Sequence, residues 1–429
     1  MTRLAGVWQR FWLTSVPVRR IAVYRWVIAA FALVDITVVS GWISHYSSTP
    51  LIFYKPLKLL HVLGDPHVGP VATSVLHVVL AVALVFALVG LYTRVALFIA
   101  APLYLWWFLT YYSYGNIQHG RIIVVISLFV LLLAPAGRAF SIDAVRLRAK
   151  RARPGEPLPA PLNENDPLAG WALRVIMILV VAAYTLAAYA KIHTSGFGWA
   201  TSGALQRVLL EKHTPVGMWF AHYPVIVKGM QAMTLFMEAT TAIVLLRGRI
   251  RDLYFVSLAG FHIGTILLLN INFLGLMVGY FAFYDLEVGA ARLGALVRRT
   301  FRVSPVELVY DADCSLCVRS IVVVKSLDWL NAITLRPGPA GLSAMRATRQ
   351  GRTTEGYVAF REAAHAVPVL WPALLLAYLP PVAALGRRRY TWVAYHRSTD
   401  GHCGVGEDAA CAVPSKQTAE SARAGKDRS

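Results

Sequence analysis

Residues 306–325, VELVYDADCSLCVRSIVVVK, decide how the rest of the chain is read. Val306–Tyr310 is a short apolar, β-branched run and predicts a buried strand. An Asp-rich turn stops it and a helical pattern resumes at Val318. That puts the C-x-x-C pair Cys314 and Cys317 at a strand-to-helix junction. One helical turn brings the two sulfurs close enough to bridge, and unpaired N–H groups at a helix start stabilise a thiolate. The stretch is a candidate dithiol/disulfide couple.

The residues before it have a different character. The 429-residue chain is 57% hydrophobic with a mean hydropathy of +0.55, values that belong to an integral membrane protein. Eight apolar runs suggest helical spans, the last of them short: Ile21–Trp42, Val71–Tyr92, Val95–Tyr112, Gly120–Ala136, Trp171–Ala190, Val225–Leu246, Leu253–Asn270 and Phe273–Leu286. The expected architecture is a polytopic α-helical membrane bundle of about eight transmembrane helices, with the lipid bilayer as its partner.

A net charge of +20 invites a nucleic-acid reading, but the basic residues sit in short clusters between apolar runs. Arg19 and Arg20 precede the first run. Arg146, Arg148, Lys150 and Arg151 follow the fourth, Arg247, Arg249 and Arg251 the sixth, and Arg298, Arg299 and Arg302 the eighth. This is the positive-inside pattern, so no nucleic-acid partner is expected. It predicts a multi-pass cell-membrane protein with both termini cytoplasmic. No small-residue cleavage site follows the N-terminal arginines, so no cleavable signal peptide is expected.

After Arg302 the alternation of strand-like and helix-like segments predicts a small α/β unit. The strands expected are Val306–Tyr310, Ala332–Arg336 and Gly356–Phe360 (GYVAF), with a helix over Val318–Trp329. Val367–Leu385 is apolar but holds four prolines and precedes Arg387–Arg389, which predicts buried helices of this unit rather than a ninth span. The expected divisions are 1–303 for the bundle, 304–400 for the α/β unit and 401–429 for a flexible tail. Arg153–Pro167 reads as an extended, Pro-rich linker.

All four cysteines lie after residue 313, which points to local redox or metal chemistry rather than a disulfide scaffold. In the redox reading the more exposed Cys314 attacks and Cys317 resolves. Asp311 and Asp313 oppose the thiolate, or Asp311 accepts a proton. The alternatives are a metal knuckle with Cys403, Cys411 and His402, whose spacing is irregular for zinc, or two idle thiols.

In the bundle, Lys191 ends the fifth run on the outward side, where a lysine ordinarily snorkels. His119 opens a neighbouring run on the same side. Asp35, Glu238 and His262 fall within runs, so they should face the interior and find partners.

DADCSLCVRSIVVVKSLDW resembles the DCC family of thiol-disulfide oxidoreductases through Asp311, Cys314 and Cys317, with Ala312 and Ser315 where that family usually has Gly and Pro. LLLAYLPPVAALGRRRYTWVAYHR resembles its C-terminal signature, ending in Tyr390, Tyr395 and Arg397. The resemblance implies a thioredoxin-like domain. RWVIAAFALVD, NIQHG, YAKIHTSGFGWATSGAL and GFHIGTILLL resemble the HTTM family, the membrane domain shared with vitamin K-dependent gamma-carboxylases. That resemblance implies roles for Lys191, His119 and His262 near an active centre.

The combined expectation is a membrane-tethered thiol-disulfide oxidoreductase, with a thiol-containing protein or a membrane quinone as reaction partner. The alternatives are a carboxylase-like enzyme with Lys191 as base, or a non-enzymatic scaffold that binds metal or a partner.

Overall fold

The computed structural model describes residues 2–41, 43, 48–64, 67–115, 119–161, 164–339 and 342–396. Its first part is helical. Helix α1 (Val18–Val34) runs into a π-helical turn, Asp35–Val39. It is followed by α2 (Pro70–Val89), α3 (Thr93–Ser113), α4 (Ile122–Leu133), α5 (Ile142–Arg151) and α6 (Pro167–Ser195). Then come α7 (Pro224–Ala239), α8 (Arg249–Leu269), α9 (Leu274–Phe283) and α10 (Leu286–Thr300). Proline opens α2, α6 and α7, where its missing N–H costs nothing.

Val18–Val39, Pro70–Val89, Thr93–Ser113, Pro167–Thr201 and Arg249–Leu269 are each long and apolar enough to cross a bilayer. Where the sequence suggests about eight spans, the described residues hold five helices of this length, or up to seven if each bent helix pair counts as one. Hydropathy does not register backbone breaks. The sixth expected run is divided between α7 and a 3-10 turn, Thr241–Leu245. In the eighth, α9 bends by 96° into α10. Helix α4, at 12 residues, rises only ~18 Å, short of the ~30 Å hydrocarbon core.

The second bent pair is Pro368–Ala377 with Pro380–Ala394, turned by 106°. Its second arm carries Arg387–Arg389 at its centre. At about 2.5–3.5 kcal/mol per arginine at mid-membrane, centring that arm in lipid would cost on the order of 8–10 kcal/mol.

Basic connections gather at one end of the bundle. Val16–Pro17, ahead of α1, pairs antiparallel with Asn165–Asp166, ahead of α6. Arg20 bridges Asp285 and Glu287 at the start of α10, at 2.6 and 2.7 Å. The Asp143 carboxylate of α5 accepts the backbone N–H groups of Tyr92 and Thr93. At that crossing Gly90 turns out of α2 with φ +68°, and any Cβ there would strike Ser141. Arg25, fully buried, donates to the carbonyls of Ala136 and Phe140 at 2.5 and 2.6 Å and so holds the α4–α5 connection.

The C-terminal unit stands at this same end. Strand β1 (Val306–Asp311) pairs in parallel with β2 (Ile333–Gly338) and antiparallel with β3 (Arg346–Arg349), which pairs antiparallel with β4 (Arg352–Glu355). The order is β2-β1-β3-β4. Helix α11 (Ser315–Leu327) connects β1 to β2, and α12 (Tyr357–His365), α13 (Trp371–Ala377) and α14 (Pro380–His396) follow the sheet.

The β3–β4 hairpin turns at Gln350 and Gly351, both with positive φ, the backbone of a type I′ turn. GYVAF, expected as a strand, instead begins α12: Ala359, Ala363 and Ala366 are buried at helical spacing. The expectation of buried helices over Val367–Leu385 also changes. Helices form, but Leu375 is 77% exposed and Leu376 59%.

The core of this unit draws on the bundle. Ala152, just past α5, belongs to the same apolar cluster as Val306, Leu308, Val322 and Ala347, and Ala149, Leu158 and Val297 pack against it. Arg148 donates to Pro159 O at 2.6 Å and to Ser326 Oγ of α11 at 3.0 Å. The segment expected as an extended linker is therefore a strap fastened across the unit.

Candidate functional site

The candidate side chains fall into two groups. In the first, β1 delivers Asp311 to the sheet's C-terminal edge, and a two-residue turn leads to Cys314, which caps α11. The Cys317 N–H donates to the Cys314 sulfur at 3.2 Å, satisfying one of the donors a helix start leaves open. The Asp313 N–H donates to the buried Asp311 carboxylate at 3.1 Å and tightens the turn. Gly155 of the strap donates to the Ala312 carbonyl at 3.0 Å, immediately before the cysteines.

The exposure of the two thiols is the reverse of expectation. Cys314 is fully buried, whereas Cys317 is partly exposed. Cys317 lines a cavity of about 320 Å³ formed by β1, α11, α12 and α14. Its walls include Leu316, Ile321, Val324, Met345 and Phe360, with Asp311, Ser320 and Arg389 as polar elements. Tyr310 also lines it, and burial pushes its phenol above the ordinary range. Tyr390 closes the far wall, its hydroxyl accepting the Met345 N–H at 2.9 Å. Two sequence stretches singled out independently, Asp311–Cys317 and the segment holding Tyr390, thus face one cavity. The Tyr395 side chain, Arg397, His402, Cys403 and Cys411 lie outside the described residues. Among the described residues no three His, Cys, Asp or Glu side chains gather as metal ligands.

The second group lies inside the bundle. Lys191, on the next-to-last turn of α6, bridges Glu238 of α7 at 2.6 Å, and its ammonium sits 5.2 Å from the Trp199 ring centroid. Two turns earlier on α6, Tyr184 hydrogen-bonds both His262 of α8 and Tyr280 of α9. His119 opens a short 3-10 turn, His119–Arg121. The next residue, Gly120, packs against Phe273, whose ring is 5.6 Å from that of His262.

The partners expected for buried ionisable groups are present. Asp35 pairs with Arg121 at 2.8 Å and accepts from Tyr104 at 2.9 Å, Glu238 pairs with Lys191, and His262 meets Tyr184. Sequence reasoning missed Arg25, Arg121, Tyr184 and Tyr280. The available signal was a polar-tipped side chain inside an apolar run.

The two groups are far apart. Lys191 follows Pro167, at the basic end, by 24 helical positions, or ~36 Å of rise.

No curated protein and no solved structure matches the chain. Residues 15–284, more than half of the chain, match the HTTM domain. This is the region of the bundle and of its buried Lys191–Glu238 and Tyr184–His262–Tyr280 contacts, and the chain belongs to the HTTM domain family.

Proposed function

We propose that the C-terminal unit is a thioredoxin-like dithiol domain of the DCC type, and that the chain is a membrane-tethered thiol-disulfide oxidoreductase. One observation carries this reading: Cys317 opens onto an apolar cavity while Cys314 is buried behind it at the head of α11. The sheet order β2-β1-β3-β4, with the pair directly after the central strand, supports it.

In this mechanism Cys317, as thiolate, attacks one sulfur of a partner disulfide. A mixed S–S bond forms and the second partner sulfur leaves as a thiolate and takes up a proton. Cys314 then loses its proton, to Asp311 or to water, and attacks the Cys317 sulfur, releasing the first partner sulfur. The domain's dithiol is oxidised to a disulfide and the partner's disulfide is reduced to two thiols.

The apolar walls also suit the ring of a membrane quinone, which when bound would supply a two-electron, two-proton acceptor for the dithiol. The basic end, with both chain termini, is cytoplasmic in this reading.

A second reading has a specific observation in its favour. Lys191, Glu238, Tyr184, His262 and Tyr280 form a polar seam in an apolar bundle, and such groups in membranes are frequently functional. As a base in carboxylase-like chemistry, Lys191 would first pass a proton to Glu238.

Alkylation trapping during a redox titration, in intact cells and in inverted vesicles, separates the readings. A reversible couple at Cys314 and Cys317, labelled only from the cytoplasmic face, is expected. Thiols that never oxidise would exclude the oxidoreductase and leave the bundle as the candidate centre.

A further inference from the structure

We infer that the C-terminal unit rests on the bilayer surface through an apolar band formed by α10, α13 and α14, with an anionic lipid leaflet as its partner. This inference is independent of whether Cys314 and Cys317 cycle.

The band begins at the bundle. Helix α10 leaves α9 at 96° and is fixed at its start by Arg20, so it runs across the bundle's end instead of along it. One side of α10 faces the C-terminal unit, with Gly294 against Trp329. Another leaves Leu293 and Leu296 more than half exposed. Phe301, just beyond α10, meets Trp371 edge-on at 5.3 Å, which carries the band into α13. There Leu375 and Leu376 are exposed, and after the 106° bend α14 exposes Leu385 and Trp392, each at 57%.

Exposed apolar surface of this extent marks an interaction site. Two features select lipid over another protein. The described residues include five helices of membrane-spanning length, so the C-terminal unit is held beside a bilayer. Exposed arginines also accompany the band, Arg299 at the end of α10 and Arg387–Arg389 on α14. Apolar side chains with adjacent cations are the composition of a helix lying in the interface, and arginines near the surface are attracted to anionic headgroups. Because α14 also walls the Cys317 cavity through Arg389, Tyr390 and Val393, docking holds that cavity at headgroup level.

The test uses the full chain in nanodiscs. A photoreactive benzophenone side chain is placed at Leu376 or, in a separate protein, at Leu293, with Arg352 on β4 as the control position. Lipid adducts at 376 and 293 well above those at 352 are expected. They should be stronger with phosphatidylglycerol than with phosphatidylcholine, and at 376 should weaken in the Arg387→Ser/Arg388→Ser variant. Adducts to a second copy of the chain, or lipid labelling at 376 no greater than at 352, would overturn the inference. Equal labelling in both lipids would overturn its electrostatic part.

Discussion

The Cys317 N–H points at the Cys314 sulfur across 3.2 Å, so the backbone of the accessible cysteine supports the sulfur of the buried one. This relationship orders the two thiols. Alkylation of the folded, reduced protein should modify Cys317 well before Cys314, measured by peptide mass spectrometry over time. Cys314→Ser should accumulate mixed disulfides on Cys317, whereas Cys317→Ser should trap almost none. The opposite order would assign the attacking role to Cys314.

Arg121 and Asp35 form a buried pair at 2.8 Å. Asp35→Asn removes the charge that compensates Arg121, and breaking one side of a buried pair costs about 3–5 kcal/mol. Thermal unfolding in detergent should show that loss. The double replacement Asp35→Leu/Arg121→Met should recover most of it, because no uncompensated charge is left.

Lys191 and Glu238 separate a structural role from a catalytic one. If they are only a pair, Lys191→Met should destabilise the bundle and Lys191→Met/Glu238→Leu should restore both stability and any activity. If Lys191 is a base, the double variant should regain stability but not activity. Unfolding curves and turnover on the same preparations decide between these outcomes.

His365 of α12 is held below its ordinary value of 6.5, first by burial and then by Arg349 and Arg361. Its unfolded form therefore binds the proton more readily, so the contribution to stability is complete above pH 6.5 and is lost as pH falls toward the folded value. Denaturation of the C-terminal unit, followed by hydrogen exchange in β1, should become easier on acidification through that window. His365→Gln should remove this component.

The position of the cysteine pair was legible because a β-branched strand, an Asp turn and a helical repeat follow one another within Val306–Lys325. Their exposure was not. Cys314 lies one turn from a strap more than 150 residues upstream in sequence, and no local pattern reports that contact. The β3–β4 hairpin was missed because RATR and RTTE show little apolar alternation and the turn is Gln-Gly. GYVAF looked like a strand from its residue types, but the buried alanines that make it a helix extend beyond it. Hydropathy located the apolar runs, and five of them coincide with helices of membrane-spanning length among the described residues. It could not show that Thr240 and Tyr284–Asp285 interrupt two of them, nor that Asp35 and His262 meet Arg121 and Tyr184.

The strap carries a consequence for biosynthesis. Ala149, Ala152 and Leu158 emerge from the ribosome about 150 residues before the first strand of the sheet they help to cover, so the C-terminal unit cannot complete its core until α4, α5 and α6 are in place. A fragment starting at residue 304 would leave that apolar surface bare. The assembled protein also has a lever: a shift between α4 and α6 would pull on Gly155 and reach the turn that presents the thiols.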